Sequence, residues 1–316
     1  MLHRDERSAA DRDGLAQAAA PWKTSLHLAR LARIRRPPGE RFEFAVLGDG
    51  EPGRFWVFRA LFNRKGVFAR QVASIQTQSV DFCIQLGDMV SRGTERNFHR
   101  FLHRLNAMAV PKPYLTVIGN HDRSKPHGKS DSRAYRSIFG AGNYYFDHGG
   151  VRFVSLDSSA RRLTRTQLKW LGHVLDTSLR KIVFTHMPPA LLRLWGGALA
   201  HGMGGFRRGA REFTRLLSAK GVERVYLGHV HAFGVEDYGG VRYVLSGGGG
   251  SALFPSGAAD KFHHYLTVSV GPSGIQERVH ALDGSSFLIP RGQVLMSPSF
   301  AHRVRAGLRQ GPRRLG

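Results

Sequence analysis

Short apolar runs alternate with polar turns and helical patterns through the first half of the chain. Residues 42–47, 81–86 and 114–118 are rich in β-branched and aromatic side chains, which predicts strands. Between them, residues 67–78 and 94–108 carry apolar side chains at helical spacing. Alternation of this kind builds a sheet with helices packed on it.

The second half continues the pattern and then changes to strands alone. Two closely spaced runs around His148-Gly149-Gly150 predict a hairpin, and Thr164 is a suitable cap for the next helix. After residue 235 only strand patterns remain. The predicted elements are strands 144–147, 151–156, 181–185, 222–227, 241–245, 265–270 and 276–281, and helices 163–179 and 209–220.

The pattern predicts one domain with irregular ends. Residues 1–41 read as a charged leader and linker outside the core, residues 42–288 as the domain, and residues 289–316 as a basic tail. Within the leader, residues 25–34 can form a basic, weakly amphipathic helix. Packing on the domain is favoured over contact with a membrane surface, because the apolar stripe is not clean.

Charge adds one feature to this picture. The 316 residues include 47 Lys and Arg against 23 Asp and Glu, a formal charge of +24. Such a field attracts polyanions, so nucleic acid or an anionic membrane surface is a candidate partner, the alternative being arginine used for solubility. The absence of a long apolar run or a secretory signal, together with a single cysteine, Cys83, favours a cytoplasmic protein.

Residues with carboxylate, amide or imidazole side chains follow five of the predicted strands. Ligands of open α/β sheets bind outside the carboxyl ends of the strands, so these residues are expected to meet in one crevice. Because alternate residues of a strand face the same side, His229 and His231 are expected to act together. The candidate residues are Asp49, Asp88, Asn120, His121, Asp122, His186, His229 and His231.

Oxygen and imidazole donors in one crevice point to a metal centre. This mixture suits Mn, Fe or Zn. Two such ions can clamp a phosphoryl oxygen and convert a bridging water into a hydroxide nucleophile. The predicted reaction is therefore hydrolysis of a phosphomonoester or phosphodiester at a centre with two divalent or trivalent metal ions.

The ordered motifs Asp49, Gly87-Asp88, Gly119-Asn120-His121-Asp122, His186 and Gly228-His229-Val230-His231 resemble the calcineurin-like metallophosphoesterase superfamily over about residues 42–270. The resemblance implies an α/β fold, a four-layer αββα sandwich with two mixed central β-sheets. It implies that Asp88 bridges two metals. Asp49 and His231 would complete one site, and Asn120, His186 and His229 the other.

The resemblance also implies roles for residues that do not bind metal. His121 would lie beside the leaving-group oxygen as a general acid or transition-state stabiliser, oriented by Asp122. Arg92, in the segment Gly87-Asp88-Met89-Val90-Ser91-Arg92-Gly93, would grip the substrate phosphate.

One position departs from the family pattern. Most members have a histidine two residues after the first aspartate, where this chain has Glu51. Purple acid phosphatases also lack it but use a tyrosine at the position of Ser91. Three alternatives remain open: Glu51 binds the metal, solvent fills the position, or the metal site is defective.

Rival interpretations follow from the same residues. Each aspartate alone is more typical of a turn or a helix cap, and His186 alone of a core histidine. A different class of function is a catalytically weak family member that binds nucleic acid or another anionic ligand. Within the enzyme class, the alternative is a nuclease.

Overall fold

The structure is a computed structural model that describes residues 14–50, 66–125, 130–192, 205–253 and 262–291. A helical segment at residues 14–19 and a 3-10 turn, Ala20–Trp22, precede the labelled elements. The helices are α1 (Thr24–Leu31), α2 (Val67–Gln76), α3 (Glu95–Ala107), α4 (Arg133–Ile138), α5 (Arg165–Val174) and α6 (Ala210–Ala219). The strands are β1 (Phe42–Leu47), β2 (Phe82–Gln85), β3 (Tyr114–Thr116), β4 (Tyr144–His148), β5 (Val151–Leu156), β6 (Arg180–Thr185), β7 (Arg224–Leu227), β8 (Phe233–Tyr238), β9 (Val241–Ser246), β10 (His264–Gly271), β11 (Gly274–Ala281) and β12 (Ser286–Leu288).

The strands form two six-stranded mixed sheets. The first has the order β12-β11-β10-β1-β2-β3, and the second has the order β4-β5-β6-β7-β9-β8. Strands β1, β2 and β3 are mutually parallel, as are β5, β6, β7 and β9. Each parallel block places its carboxyl ends along one edge, where the candidate residues follow.

An aromatic core joins the two sheets face to face. Phe44 of β1 stacks on Phe82 with ring centroids 5.0 Å apart. The same ring meets Phe153 of β5 edge-on at 5.4 Å and Phe184 of β6 at 6.0 Å. Edge-on aromatic pairs stabilise contacts beyond the area they bury. The predicted sandwich of two sheets is therefore confirmed.

Helices cover the outer faces of both sheets. One apolar cluster joins α2, α3 and α4 to the first sheet, and another joins α5 and α6 to the second. Thr164 caps α5 in a capping box with Gln167, as the sequence indicates. The four layers of the predicted αββα fold are present. None of the described helices has the length and apolar character that crossing a bilayer requires.

The leader differs from expectation. Residues 1–41 were expected to lie outside the core, but Leu15, Trp22 and Leu31 are buried within the domain's apolar clusters. Helix α1 packs on the domain as predicted, and His27 contacts β3. The prediction failed because it rested on the charged composition of the segment, whereas a few apolar side chains are enough to anchor it in the core. Residues 1–13 and 292–316 lie outside the described residues.

Several element bounds also differ from the predicted ones. Helix α5 ends at Val174, whereas the sequence predicts a helix to residue 179. The helix is shorter because the chain must turn before β6 begins at Arg180. Helix α4 is not among the predicted elements. Its burial of Tyr135 and Ile138 supplies the stability that its short sequence pattern lacks.

Candidate metal centre

Strand ends from both sheets bring the candidate residues into contact. His186, after β6, has its Nε2 atom 3.2 Å from Oδ2 of Asp88, after β2. His231, after β7, has its Nε2 atom 3.8 Å from Oδ1 of Asp49, after β1. The predicted convergence of residues distant in sequence is therefore present in the structure.

The loop that carries Asp88 is held in an unusual backbone conformation. Asp88 has φ +50°, a left-handed value that is uncommon outside glycine, and Gly87 before it has φ +99°. Gly119 lies directly against this loop, because a Cβ atom there would stand 2.1 Å from Oδ1 of Asp88. Two glycines thus let the second and third strand ends approach closely enough to share one site.

The rings of three histidines are fixed by backbone carbonyls. Nδ1 of His186 lies 2.7 Å from the Leu86 carbonyl oxygen. Nδ1 of His231 lies 2.8 Å from that of Ala252, and Nδ1 of His121 lies 2.9 Å from that of Ser91. A carbonyl oxygen only accepts, so Nδ1 carries a proton in each ring, and in the neutral imidazole Nε2 has the lone pair that can bind a metal. Histidines that bind metals are typically oriented in this way.

His229 reaches the site by a turn instead of a strand. β7 ends at Leu227, and His229 has φ +72°. Its backbone N–H lies 3.1 and 3.0 Å from the two Asp49 oxygens. The expectation that His229 and His231 alternate on one strand is therefore wrong, since hydrogen bonds to Asp49 turn the backbone. The His229 ring nevertheless packs edge-on against His186, with centroids 5.3 Å apart.

The carboxylates of the centre are buried and face histidines. Among the described residues, no lysine or arginine pairs with Asp49, Asp88 or Asp122. Burial raises the pKa of Asp49 to about 8 and, with repulsion from Asp88, that of Asp122 to about 7. Burial opposes ionisation of Asp88 as well, but the attraction of His186 outweighs it and holds the pKa of Asp88 well below its usual range.

His186 responds in the opposite direction. Burial disfavours its charged form, yet the Asp88 carboxylate outweighs burial and raises the pKa of His186 to about 10. A proton on His186 thus supplies part of the positive charge that the buried carboxylates require. A bound cation would supply that charge more completely and release the proton.

The donor atoms fit a metal ion. One donor atom each from Asp88, His186 and His229 lies within 4.8 Å of the others. Oδ1 of Asn120 lies 3.1 Å from Nε2 of His186 and adds an amide oxygen. Imidazole nitrogen, carboxylate oxygen and amide oxygen together suit Mn, Fe or Zn.

Asp122 has a different place from the one the resemblance implies. Its carboxylate accepts backbone hydrogen bonds from Gly119 at 2.8 Å, Met89 at 2.8 Å and Val90 at 3.2 Å. The His121 ring is instead held by the Ser91 carbonyl. Asp122 therefore joins the second and third strand ends and does not orient the imidazole.

Arg92 and Glu51 are the remaining candidate residues. Arg92 is exposed, and its Nε donates to the Ser124 carbonyl at 2.6 Å. Glu51 lies outside the described residues, so its place as a ligand stays a prediction.

Sequence reasoning missed part of the support for the centre. The glycine run 247–250 packs on the first strand end: a Cβ atom at Gly249 would stand 2.4 Å from the Gly48 carbonyl oxygen. The backbone N–H of Ser251 donates to the Asp49 carbonyl at 2.9 Å. The run of glycines was the available signal, because close backbone approach requires residues without side chains.

Comparisons with known proteins concern the family and the fold. The calcineurin-like phosphoesterase family profile matches residues 27–233. The fold resembles purple acid phosphatase PPD1 from yellow lupin seeds, with a TM-score of 0.62 and 16% identity over 80% of this chain and 54% of that one. It also resembles GAP50, the anchor in the inner membrane complex of Plasmodium, with a TM-score of 0.53 and 15% identity over 85% and 95% of the two chains.

These structural likenesses concern the fold alone. The chain spans about half the length of the lupin enzyme, with 54% of that protein covered. No protein of curated function matches the chain by sequence.

Proposed function

Because the chain belongs to the calcineurin-like phosphoesterase family, we propose that it is a metal-dependent hydrolase of phosphomonoesters or phosphodiesters that uses two metal ions. The observation that carries this proposal is the meeting of donor atoms from Asp88, His186 and His229 within 4.8 Å of one another. Three strand ends from two sheets supply those atoms, and a structural role does not require such a convergence of polar groups.

Six residues would hold the metal ions. Asp88 would serve both ions, and the other residues fall into two groups. The first group is Asp49 and His231, and the second is Asn120, His186 and His229. Glu51 is a further candidate for the first group. Bound Mn, Fe or Zn would supply positive charge that polarises the phosphoryl group and acidifies water at the site.

Two side chains are assigned to the substrate. The Ser91 carbonyl holds Nδ1–H of His121, so Nε2 is the ring nitrogen that, in the imidazolium form, would donate a proton to the leaving-group oxygen. Arg92 is exposed at the end of the same loop, and its guanidinium would bind the non-bridging phosphate oxygens. Asp122 would act as a positioning residue, because its three backbone hydrogen bonds fix the loops that carry Asp88 and His121.

A matched pair of buried residues allows a sharp test. His148 lies 2.9 Å from Asp81 at the opposite end of β2, an imidazole and a carboxylate buried together as in the candidate centre. Asp88→Asn and His186→Gln are expected to lower metal content and to abolish hydrolysis of aryl phosphate mono- and diesters. Asp81→Asn and His148→Gln are expected to keep both properties in the folded protein.

Metal-free protein should be reloaded with Mn, Fe, Zn or Mg, and its turnover measured on paired aryl mono- and diesters. Turnover at the wild-type rate in Asp88→Asn would show that the centre is misassigned. Equal losses in the Asp81→Asn control would show that the effect is one of folding.

A binding protein without efficient catalysis is the second candidate. It is favoured by one observation, that Glu51 stands where most family members have a histidine. Metal analysis separates the two functions, since the enzyme should hold close to two ions per chain and the binding protein one or none.

A further inference from the structure

A cationic surface lies on the outer face of the second sheet. We call residues 161–169 and 207–215 the arginine surface. These two segments contain seven arginines and Lys169, but only one acid, Glu212. Arg162 and Arg208 lie side by side in an isolated β-bridge, and the Leu163 N–H donates to the Arg208 carbonyl at 3.0 Å. The two segments are therefore one continuous surface.

The cations of this surface are not used to stabilise the fold. Within the described part of the chain, none of the eight makes an ion pair or hydrogen bond through its side chain. Arginines elsewhere do so: Arg152, Arg180 and Arg242 each grip a carboxylate through two nitrogens. Neighbouring like charges destabilise both a β-pair and a helix face, so this surface has a cost that an anionic partner would offset.

The arginine surface is continuous with the candidate metal centre. Leu156 of β5 pairs with Thr185 of β6, so the chain leaves β5 one strand away from His186, about 5 Å. Ser158 follows there, and its Oγ accepts from the Met187 N–H at 2.8 Å. Its carbonyl accepts from the Arg161 N–H at 2.9 Å. The first segment of the surface thus begins at the loop that holds a candidate metal ligand.

The second segment of the arginine surface also begins near His186. The Phe206 N–H donates to the Pro188 carbonyl at 2.9 Å, two residues after His186. Arg207 and Arg208 follow, and both are exposed. Exposed arginines therefore follow one another along the chain from the loop beside His186 to α6.

A groove with an aromatic wall is lined by two of these arginines. Arg211 and Arg215, four residues apart on α6, line a cavity of about 660 Å³ beside the end of β8. Tyr238 lies on the other side of the cavity and is 43% exposed. Alternating cations and an accessible aromatic ring are the features that bind single-stranded nucleic acid, through phosphates and stacked bases.

We propose that the arginine surface and the Tyr238 groove bind single-stranded nucleic acid and guide one phosphodiester of its backbone to the metal centre. That this polymer is a substrate rests on the proposed phosphoesterase function. Hydrolysis consumes one water, breaks one P–O bond, and leaves a phosphate on one fragment and a hydroxyl on the other. A lipid surface fits less well, because Tyr238 is the only strongly exposed large apolar side chain of the described residues that borders the surface.

The test compares two pairs of exposed arginines with the same spacing. Arg211 and Arg215 lie on α6, whereas Arg96 and Arg100 lie on α3, on the opposite side of the sandwich. Binding of a labelled oligothymidylate to the full chain is measured against salt concentration. The R211E/R215E variant is expected to bind more weakly and to lower the salt slope by about 1.4, since each phosphate contact on a single strand contributes about 0.7. The R96E/R100E control should match the wild type.

Tyr238→Ala tests the aromatic part of the groove. It is expected to weaken binding by about tenfold, the loss of one base stack. Tyr145→Ala is the control, because Tyr145 is 47% exposed on the other edge strand of the sheet. Neither variant should change turnover of a small aryl diester.

The outcomes separate this inference from the proposed function. If the metal-loaded wild type binds the oligonucleotide but does not hydrolyse aryl esters, the proposed phosphoesterase function is refuted and the surface remains a binding site. Equal binding by R211E/R215E and R96E/R100E would overturn the surface while turnover stands. Binding of anionic vesicles through Arg211 and Arg215, with no oligonucleotide binding, would also overturn it.

Discussion

Replacing His27 should remove part of the pH dependence of stability. His27 is 1% exposed on α1, and its Nδ1 accepts a hydrogen bond from the Tyr114 backbone N–H at 3.1 Å. Tyr114 begins β3, the edge strand of the first sheet, so the imidazole occupies a hydrogen-bonding position that a further strand would otherwise fill. Burial, together with the charge of Arg30, lowers the pKa of His27 to about 4.

The direction and magnitude of the effect of His27 on stability follow from proton linkage. Between about pH 6.5 and about pH 4 the unfolded chain binds a proton on His27 that the folded protein excludes, so stability rises with pH across this window. The stability that depends on neutral His27 is fully present above pH 6.5 and is lost as pH falls toward 4. The gap between the unfolded value of 6.5 and the folded value of about 4 corresponds to about 3 kcal/mol.

Urea unfolding at about pH 7.5 and about pH 4.5 measures this effect. His27→Gln retains a possible acceptor for the Tyr114 N–H but cannot titrate, so its loss of stability on acidification should be smaller than that of the wild type by about 2 to 3 kcal/mol. His103→Gln, at an exposed position of α3, is the control and should behave as the wild type. An identical pH dependence in His27→Gln and the wild type would refute this account of the edge strand.

Three further variants test the packing around the site and the two sheets. Gly119→Ala places a Cβ atom 2.1 Å from Oδ1 of Asp88, so metal content and turnover should fall sharply while circular dichroism stays native; unchanged metal content would contradict the close approach. Asp81→Asn weakens the link to His148 between the sheets and should lower the free energy of unfolding by about 2 kcal/mol at neutral pH without changing metal content; an unchanged denaturation midpoint would contradict it. Glu277→Gln removes a buried carboxylate from the partly buried guanidinium of Arg224 and should cost about 3 to 5 kcal/mol by urea unfolding, whereas a cost near zero would show that the pair is not coupled.

The fold, and the meeting of candidate residues at one edge, could be predicted from the sequence because both depend on local patterns. Apolar runs identify the parallel strands, and Asp49, Asp88 and His186 directly follow three of them. Carboxyl ends of parallel strands share an edge, so adjacency in space follows from the strand pattern.

What the sequence did not predict depends on contacts between distant segments. The turn at His229 is set by hydrogen bonds to Asp49, 180 residues away in the chain. The Ser91 carbonyl, whose place no side-chain pattern records, holds the His121 ring. The burial of Trp22 in the leader likewise depends on α3, where Asn106 accepts the hydrogen bond of its indole.

Anomalous X-ray diffraction from crystals of metal-loaded protein tests the central claim most directly. We expect two peaks about 3.5 to 4 Å apart, with the Asp88 carboxylate contacting both and with His186 and His229 bound to one of them through ring nitrogens. Metal bound elsewhere on the chain, or a loaded crystal in which Asp88 and His186 contact no metal, would contradict the account.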